Sequence, residues 1–502
     1  MNFTTTVGSG QHALMQRAAP FYLLGFLLLA TNSPAQSAED ALARATAAVE
    51  AAAPKAQADP ARPIFHVATP AQWMNDPNGP LFYKGYYHLF YQLHPYSDQD
   101  GPKYWGHVRS RDLVKWEPLA IALAPSNDKG EEAIWSGSCT INGRGEPIIF
   151  YTSIAKGKSA FDHAEQWAAT SSDDLIHWQK SPANPVLSEA LNVSGKIYDW
   201  RDPFVFHESK RTFLVTGGHL AKEGQAAVSI YESENPELTR WKYRGVLFQI
   251  PGAPTAECPN FFKLGNQWVL FVSPYGKVQY FVGDLDLETC RFTPRTHGFV
   301  DYGPSFYAPN TMLLDNGDRL TWGWINGFPA GHGWNGCLSV PRQLSLSRDG
   351  QLRQSPAPQL RHLRGKGSVW KNFEVPADGR VFQLPQTNTL EIRAEVDLAK
   401  TKGFELELNS VDHSAKPVFV GFDGAQLTVA DVKVPWPSNQ NTGRLVLGIF
   451  MDRSVLEVVA NDSLWVTKTI SPLDARPTLT FRSGSAPAKV RSLEAWPMKT
   501  IW

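Results

Sequence analysis

The chain has 502 residues with 48 Lys+Arg and 48 Asp+Glu, so its formal net charge is zero, and only 19% of its residues are charged while 12% are aromatic. This balance excludes the basic footprint of a nucleic-acid-binding protein and the positive patch of a protein attracted to anionic membranes. It also excludes a disordered chain and a coiled coil. The 39 Gly and 37 Pro indicate many turns, which is typical of an all-β fold.

The first 37 residues have the order of regions found in a secretory signal peptide. Residues 1–19 are largely polar with Arg17 as the only charge, residues 21–30 are apolar, and small residues follow. The apolar run is shorter than the roughly 20 residues that a membrane span needs. We therefore predict that residues 1–37 are a signal peptide and that the protein is exported to the periplasm or the extracellular space. We expect no membrane association once this segment is removed.

Residues 38–61 are Ala-rich, compatible with a frayed helix or a linker, and are assigned as a linker.

A repeat organises residues 62–344. Three similar segments end in Trp116, Trp178 and Trp241, which are 62 and 63 residues apart. Five units rich in Phe, Val, Tyr and Trp, each with a turn between two apolar runs, have the pattern of β-hairpins. They lie at residues 79–91, 139–152, 202–216, 258–272 and 309–324. This recurrence predicts a five-bladed β-propeller of four-stranded blades and disfavours a large sandwich.

The pattern changes after the repeat. Residues 345–370 contain Pro356, Pro358 and a basic stretch, and are predicted to be a connector. Apolar and charged residues alternate strictly in 390–398 and again in 404–408, as in half-buried antiparallel strands. Residues 371–502 are therefore predicted to form a β-sandwich. The expected fold is all-β, a five-bladed β-propeller followed by a C-terminal β-sandwich.

Three acidic residues occupy equivalent positions in the repeat. Aligning the hairpins places Asp76, Asp202 and Glu257 at the starts of inner strands, which line the central cavity of a propeller. Converging carboxylates can repel one another, which raises the pKa of one of them and produces an acid/base pair. Alternatively, they can bind calcium together with further oxygen ligands. Tryptophans near the same strand starts offer flat apolar faces for sugar rings, namely Trp73, Trp105, Trp135 and Trp324. Two carboxylates beside a neutral aromatic pocket are typical of a glycosidase.

Metal chemistry has little support in the sequence. The four Cys residues lack a C-x-x-C pair, and no two His have H-E-x-x-H spacing. We expect no metal and no cofactor, and we expect all four Cys to be buried thiols.

Seven consecutive residues, Trp73-Met-Asn-Asp-Pro-Asn-Gly79, resemble the signature of glycoside hydrolase family 32, the invertase, inulinase and levanase family. Arg201-Asp202-Pro203 and Glu257-Cys258-Pro259 resemble its second and third motifs in the right order. The resemblance spans roughly residues 62–500. Further similar stretches are Phe90-Tyr91-Gln92, Trp105-Gly106-His107, Trp135-Ser136-Gly137-Ser138, Phe306-Tyr307-Ala308-Pro309, Trp322-Gly323-Trp324 and Asp452-Arg453-Ser454 with Glu457.

The resemblance implies roles for the three acids. Asp76 would attack the anomeric carbon of a terminal β-fructofuranosyl unit, and Glu257 would protonate the leaving oxygen and later activate water. Asp202 would hold fructose hydroxyls and stabilise the transition state. Such a retaining double displacement needs Asp76 and Glu257 about 5 Å apart. The implied substrates are sucrose and fructans such as inulin and levan.

The resemblance also implies a set of contacts with the fructose unit. The matching residues are Trp73, Asn75, Gln92, Trp105, Trp135, Ser136, Arg201 and Trp324, with Trp322 as an alternative to Trp324. Residues 325–334, where leaving-group contacts are expected, match no particular subgroup. Two alternatives stay open: a fructosyltransferase using the same residues, and a carbohydrate-binding propeller without catalysis. The intact Asp76 and Glu257 argue against the second.

Overall fold

The structure, a computed structural model, describes residues 34–160, 164–172, 175–192, 197–220, 224–410, 415–437, 443–484 and 486–502. The predicted signal peptide lies almost entirely outside these residues. Helix α1 spans Pro34–Ala58, and short 3₁₀ helices span Asn127–Lys129, Glu189–Asn192 and Pro358–Leu363. Within the described part of the chain, no helix combines the length and the hydrophobicity that a membrane crossing requires.

The strands after α1 first form five sheets. The first two contain β1 (Gln72–Tyr83), β2 (Tyr86–His94), β3 (Tyr104–Ser110), β4 (Trp116–Pro118), and β5 (Glu131–Ile141), β6 (Pro147–Ala155), β7 (Ala164–Thr170), β8 (Gln179–Lys180). The next two contain β9 (Ile197–Glu208), β10 (Arg211–Leu220), β11 (Gln225–Ser233), β12 (Trp241–Gln249), and β13 (Glu257–Leu264), β14 (Gln267–Ser273), β15 (Gln279–Asp286), β16 (Arg291–Phe299). The fifth contains β17 (Phe306–Leu313), β18 (Arg319–Ile325), β20 (Cys337–Leu338), β21 (Arg342–Leu346) and β22 (Leu352–Pro356), while β19 (Trp334–Asn335) joins β1 in parallel.

The first strands of the five sheets contact one another in a closed ring. Strand β1 contacts β5, β5 contacts β9, β9 contacts β13, β13 contacts β17, and β17 contacts β1. Successive strands within each sheet run antiparallel. The predicted all-β fold with a propeller is confirmed, and the ring places the starts of these five strands around one axis.

Each first strand has a register shift near this axis. Bulges bend a strand and re-aim its side chains, which is why they often lie next to active sites. In four strands the irregularity holds an X-Pro pair: Asp76-Pro77, Asp202-Pro203, Cys258-Pro259 and Ala308-Pro309. Asp202, Cys258 and Ala308 have positive φ angles of 58°, 46° and 44°. In β5 the position belongs to Gly137, where a Cβ atom would lie 1.9 Å from the carbonyl oxygen of Phe150.

The C-terminal strands form two six-stranded sheets. One contains β23 (Ser368–Val375), β25 (Thr389–Asp397), β30 (Arg444–Asp452), β31 (Val455–Ala460), β32 (Leu464–Thr469) and β34 (Ala488–Pro497). The other contains β24 (Arg380–Gln383), β26 (Phe404–Ser410), β27 (Val418–Phe422), β28 (Gln426–Val429), β29 (Val432–Pro435) and β33 (Pro477–Ser483). Alternate residues of β26, Phe404, Leu406 and Leu408, are buried in a core shared by both sheets. The predicted sandwich is confirmed.

The boundaries of the predicted connector need correction. Strands β21 and β22 pair with the fifth sheet, so the propeller continues to residue 356 rather than 344. The sandwich begins at Ser368 in β23 rather than at residue 371. The physical reason is a hairpin turn at Asp349-Gly350, with a positive φ of 76° at Gly350, inside the predicted connector.

The segment predicted as an Ala-rich linker is instead mostly helix α1. Ala41, Ala45 and Val49 follow one another every four residues, lie on one helix face and are buried. They belong to the same hydrophobic cluster as Phe328 and Trp334 of the propeller. The helix is thus part of the folded domain, and small alanine side chains allow it to pack closely.

A buried network of charged side chains joins the propeller to the sandwich. His66 contacts Asp452 Oδ2 through Nδ1 at 2.8 Å and Glu457 Oε1 through Nε2 at 3.1 Å, and all three side chains are fully buried. Arg342 of β21 pairs with Glu457 Oε2 at 2.5 Å and with Asp301 Oδ2 at 2.9 Å. Burial lowers the pKa of His66, but the hydrogen bonds and charges of Asp452 and Glu457 outweigh it and raise the pKa to about 9. Ion pairs therefore connect the two domains at neutral pH.

Candidate active site

The propeller ring brings the three predicted acids together. Asp76 lies in β1, Asp202 in β9, and Glu257 is the first residue of β13. The Cys258 thiol lies between two of them, with Sγ 3.4 Å from Asp76 Oδ2 and 3.5 Å from Asp202 Oδ2. Arg201 links Asp202, at 4.0 Å, to Glu257. Residues distant in sequence thus surround one small volume at the centre of the ring.

Hydrogen-bond donors orient the Asp76 carboxylate. Ser136 donates to Oδ2 at 2.6 Å, and Asn75 donates to Oδ1 at 3.1 Å. Asn75 also donates to Gln92 at 2.5 Å, Gln92 donates to Ser136 at 2.5 Å, and Trp73 donates to Asn75 at 2.8 Å. Five residues predicted for the site therefore form one hydrogen-bonded chain, which fixes the carboxylate in a single orientation.

Asp202 is held by backbone contacts. Its N–H donates to Thr152 Oγ1 at 2.8 Å, and its Oδ2 accepts the Cys258 N–H at 2.8 Å. Burial raises the pKa of Asp202 to about 6, although Arg201 and the Cys258 N–H act in the opposite direction. At neutral pH Asp202 is a carboxylate that can accept hydrogen bonds from sugar hydroxyls.

Glu257 has a different partner on each oxygen. The Arg201 guanidinium pairs with Oε1, and the Tyr307 hydroxyl lies 2.5 Å from Oε2. Burial raises the pKa of Glu257 most strongly; Arg201 and Tyr307 lower it, and the charges of Asp202 and Asp76 raise it. The resulting pKa is about 7. Glu257 can therefore release or take up a proton near neutral pH, as general acid/base catalysis requires.

The donors around Glu257 determine which oxygen carries its proton. A guanidinium only donates, so Oε1 beside Arg201 remains an acceptor. The Tyr307 hydroxyl also lies 3.0 Å from the Ser273 carbonyl oxygen, to which it can donate while it accepts from a protonated Glu257. The Tyr275 N–H donates to the same hydroxyl at 3.0 Å. When Glu257 is protonated, Oε2 is therefore the oxygen placed to carry the proton.

Arg201 is the cation at the centre of this cluster. Besides Glu257 it contacts Asp199 Oδ2 at 2.7 Å and the Tyr275 hydroxyl at 2.8 Å. Its guanidinium lies 5.2 Å from the ring centre of half-buried Trp135. Although burial lowers the pKa of Arg201, the surrounding carboxylates outweigh it and raise the pKa above the ordinary value. The side chain stays charged and organises the acid side of the site.

The predicted tryptophans divide into two groups. Trp73 and Trp324 are partly exposed, and their rings lie edge to face at 5.7 Å. Trp322, the alternative to Trp324, is fully buried. Trp105 is also fully buried and donates to the Trp135 carbonyl oxygen at 3.1 Å. The prediction that Trp105 lines the pocket needs correction, because its ring supports the strand that carries Trp135 and Ser136.

Sequence reasoning missed several residues of the site. Tyr307 and Cys258 lie inside motifs recognised in the sequence. The motifs indicate that these residues lie near the site, but they do not reveal the contacts of their side chains. Tyr275 and Asp199 lie outside those motifs, and the positive φ angles that mark both, 58° and 55°, cannot be read from the sequence.

The described residues offer little for a metal ion or a disulfide. In this part of the chain, no group of three or more His, Cys, Asp or Glu side chains is placed to hold a metal ion. The carboxylates are paired instead with Arg201, Ser136 and Tyr307. All four cysteines are free thiols, with Cys258, Cys290 and Cys337 buried and Cys139 partly buried.

Comparisons with known proteins identify the family. Residues 66–356 match the model of the glycosyl hydrolases family 32 N-terminal domain. The chain is 32% identical over 501 residues to a levanase of Bacillus subtilis, and the match covers 88% of this chain and 71% of the levanase. It is 30% identical over 436 residues to a raffinose invertase of Escherichia coli, and that match covers 80% of this chain and 87% of the invertase. A GH32 beta-fructofuranosidase of Bombyx mori in complex with sucrose has a similar structure, with a TM-score of 0.79 at 27% identity over 92% of this chain and 99% of that one. The chain therefore belongs to glycosyl hydrolase family 32 and is a glycosidase.

Proposed function

We propose that this protein is a retaining hydrolase of terminal β-fructofuranosyl linkages, with Asp76 as nucleophile and Glu257 as acid/base. The observation that carries this proposal is the contrast between the two carboxyl groups. Asp76 is fixed by Ser136 and Asn75, whereas Glu257 lies between Arg201 and Tyr307 and burial raises its pKa to about 7. Retaining glycosidases use one carboxylate to attack and one carboxylic acid to protonate.

In the first step an Asp76 oxygen bonds to the anomeric carbon of the fructosyl unit. The bond from that carbon to the leaving oxygen breaks, and Glu257 transfers its Oε2 proton to this oxygen. Asp202, ionised above about pH 6, accepts hydrogen bonds from fructose hydroxyls and stabilises the positive charge that develops on the ring. The products of this step are a fructosyl ester of Asp76 and the free leaving saccharide.

In the second step Glu257 acts as a base. The negative charge of Asp76 is one cause that raises the pKa of Glu257, so formation of the ester lowers that pKa. The ionised Glu257 then takes a proton from water, whose oxygen bonds to the anomeric carbon and releases Asp76. Two displacements on opposite faces give fructose with retained configuration.

The proposed substrates are sucrose and fructans. The relatives named above include a levanase and a raffinose invertase, and the similar structure is a complex with sucrose. The partly exposed rings of Trp73 and Trp324, which lie edge to face, offer flat apolar surfaces that suit the C–H faces of a sugar. Export to the periplasm or the extracellular space, where such saccharides occur, is part of the proposal and accords with the order of regions in residues 1–37.

Chemical trapping with a matched pair of variants tests the assignment. Glu257→Ala is expected to lose most sucrose hydrolysis, because the leaving glucose is no longer protonated. With an aryl β-fructofuranoside, whose leaving group departs without a proton, the same variant is expected to form β-fructosyl azide when sodium azide is added, because azide attacks the Asp76 ester without needing a base. Asp76→Ala is expected to give no β-fructosyl azide. The control Asp284→Asn changes an exposed acid of β15 and should keep full activity. Near-normal turnover in Asp76→Ala, or an α-azide from Glu257→Ala, would contradict the mechanism.

Product analysis separates hydrolysis from transfer. During a time course on sucrose, inulin and levan, a hydrolase releases free fructose in proportion to substrate loss. A dominant yield of longer fructosides would instead identify a fructosyltransferase, and binding without turnover would identify a carbohydrate-binding propeller.

A further inference from the structure

Helix α1 precedes the family domain and packs beside the first strand of the catalytic site. The family model matches residues 66–356, so both α1 and Asp59, the residue after its end, lie before the matched region. The buried face of α1 belongs to the same hydrophobic cluster as Met74 of β1, and Met74 lies two residues before Asp76. An element outside the family domain therefore packs near the strand that carries the proposed nucleophile.

Asp59 connects the end of α1 to residues 326–336, which link β18 to β20. Its Oδ2 accepts the Trp334 Nε1–H at 2.7 Å and lies 2.9 Å from His332 Nδ1. The Asp59 side chain is only 9% exposed. The last turn of α1 also covers Gly333, where a Cβ atom would lie 3.2 Å from the side chain of Lys55. The end of the helix thus holds this segment at several points.

A second aspartate, Asp98, holds the same segment from the loop between β2 and β3. Its Oδ2 accepts the N–H groups of Gly331 and Gly333, both at 2.8 Å. Four of the eleven residues 326–336 are glycines, and a glycine-rich segment loses much conformational entropy when it becomes ordered. Asp59 and Asp98 supply fixed acceptors that oppose this loss.

Residues 326–336 in turn contact the two partly exposed tryptophans of the site. Asn335 pairs with Trp73 in the parallel ladder of β1 and β19. At Gly336, whose φ is 89°, a Cβ atom would lie 2.9 Å from Trp324 Nε1. The positions of the Trp73 and Trp324 rings therefore depend on the order of this segment.

We propose that Asp59 and Asp98 are positioning residues of the substrate pocket, and that helix α1 thereby contributes to saccharide affinity. The inference rests on the proposed function, in which the rings of Trp73 and Trp324 contact a sugar. Each aspartate acts through residues 326–336, because its hydrogen bonds end on that segment.

The proposal predicts a rise in KM without a matching fall in kcat. When one aspartate is removed, only a fraction of the molecules presents both rings correctly, and the apparent affinity falls by that fraction. A competent fraction of about one tenth would raise KM about tenfold, which corresponds to about 1.4 kcal/mol. We expect kcat to change less than about twofold, because Ser136 and Asn75 orient the Asp76 carboxylate once the sugar is bound.

The test measures kcat and KM on whichever of sucrose, inulin and levan the native protein hydrolyses fastest. Asp98→Ala and Asp59→Ala should each raise KM by about five- to tenfold. Asp98→Asn should stay within about twofold of the native KM, because its amide oxygen can still accept both N–H groups.

The matched control is Asp112→Ala, at the other end of β3. Asp112 Oδ1 accepts the N–H groups of Val114 and Lys115, both at 2.8 Å, so this variant also loses two hydrogen bonds to backbone N–H groups. It should keep the native KM. Thermal unfolding of every variant shows which of them are folded, and either alanine variant that folds suffices for the test.

The outcomes separate two failures. An unchanged KM in the folded alanine variants, a fall in kcat as large as the rise in KM, or the same rise in Asp112→Ala would overturn the positioning role while leaving the hydrolase intact. Absence of turnover on all three saccharides by the native protein would instead overturn the proposed function.

Discussion

Tyr307→Phe is expected to move one limb of the pH profile and leave the other in place. In the native protein kcat/KM requires an ionised Asp202, with a pKa of about 6, and a protonated Glu257, with a pKa of about 7. The activity should therefore be highest between about pH 6 and pH 7. The Tyr307 hydrogen bond lowers the pKa of Glu257, so its removal raises that pKa and shifts the alkaline limb to higher pH.

The magnitude follows from the contact at Oε2. A hydrogen bond to a charged group contributes about 1.5–3 kcal/mol, and 1.36 kcal/mol corresponds to one pKa unit. A protonated Glu257 also loses a partner in the variant, because it donates to Tyr307 when neutral. The difference between the two states is therefore near the lower end of this range, and we expect the alkaline limb to rise by about one pH unit.

The assay is the initial rate of fructose release from dilute sucrose between pH 4 and pH 9, because kcat/KM reports the pKa values of the free enzyme. The control is Tyr280→Phe, since the Tyr280 hydroxyl bonds Gln351 at 2.8 Å in the outer part of the propeller. An alkaline limb that stays in place or moves to lower pH would refute the contact between Tyr307 and Glu257. A purely structural role of Tyr307 would lower activity at every pH without moving the limb.

Two further predictions concern stability and reactivity. The pKa of His66 is about 9 in the folded protein, against an ordinary value of 6.5. The stabilisation of the fold by protonated His66 is therefore fully present below about pH 6.5 and is lost as the pH rises through about 9. Thermal unfolding of the native protein at a series of pH values should show this loss. His66→Gln should lower the free energy of unfolding by about 3 kcal/mol at pH 6 and flatten the pH dependence, and an unchanged slope would contradict the network. Burial, followed by the charges of Asp202 and Asp76, raises the pKa of the Cys258 thiol, so iodoacetamide at pH 7 should label Cys258 slowly in the folded protein and rapidly in urea, as mass spectrometry can show.

The propeller and its acids could be predicted because the signal repeats. Asp76, Asp202 and Glu257 fall at the same place in successive hairpins, and a ring of equivalent strands necessarily brings such positions together. Asn75 and Ser136 were likewise placed by motifs that surround these positions. Their hydrogen bonds to Asp76 were not predictable in detail, although their proximity was.

Other features depend on contacts that residue type alone does not reveal. Trp105 and Trp135 look equivalent in the sequence, yet Trp105 is fully buried whereas Trp135 lies against Arg201. Helix α1 buries mainly alanines, such as Ala41 and Ala45, and small side chains give a weak periodic signal. The outer strand β22 was missed because Pro356 ends it and resembles a linker residue.

The protonation of Glu257 follows from the charge balance of the whole site. Asp199, Asp202 and Glu257 all face one cation, Arg201, in a region where burial strengthens every electrostatic interaction. One cation cannot neutralise three carboxylates, so a buried proton is favoured on one of them. Glu257 takes it because its Oε2 faces a hydroxyl that can accept, whereas Asp202 Oδ2 faces the Cys258 N–H, which can only donate. The same comparison predicts that a substitution removing Arg201 would raise the pKa of Glu257 and weaken its role as the base in the second step.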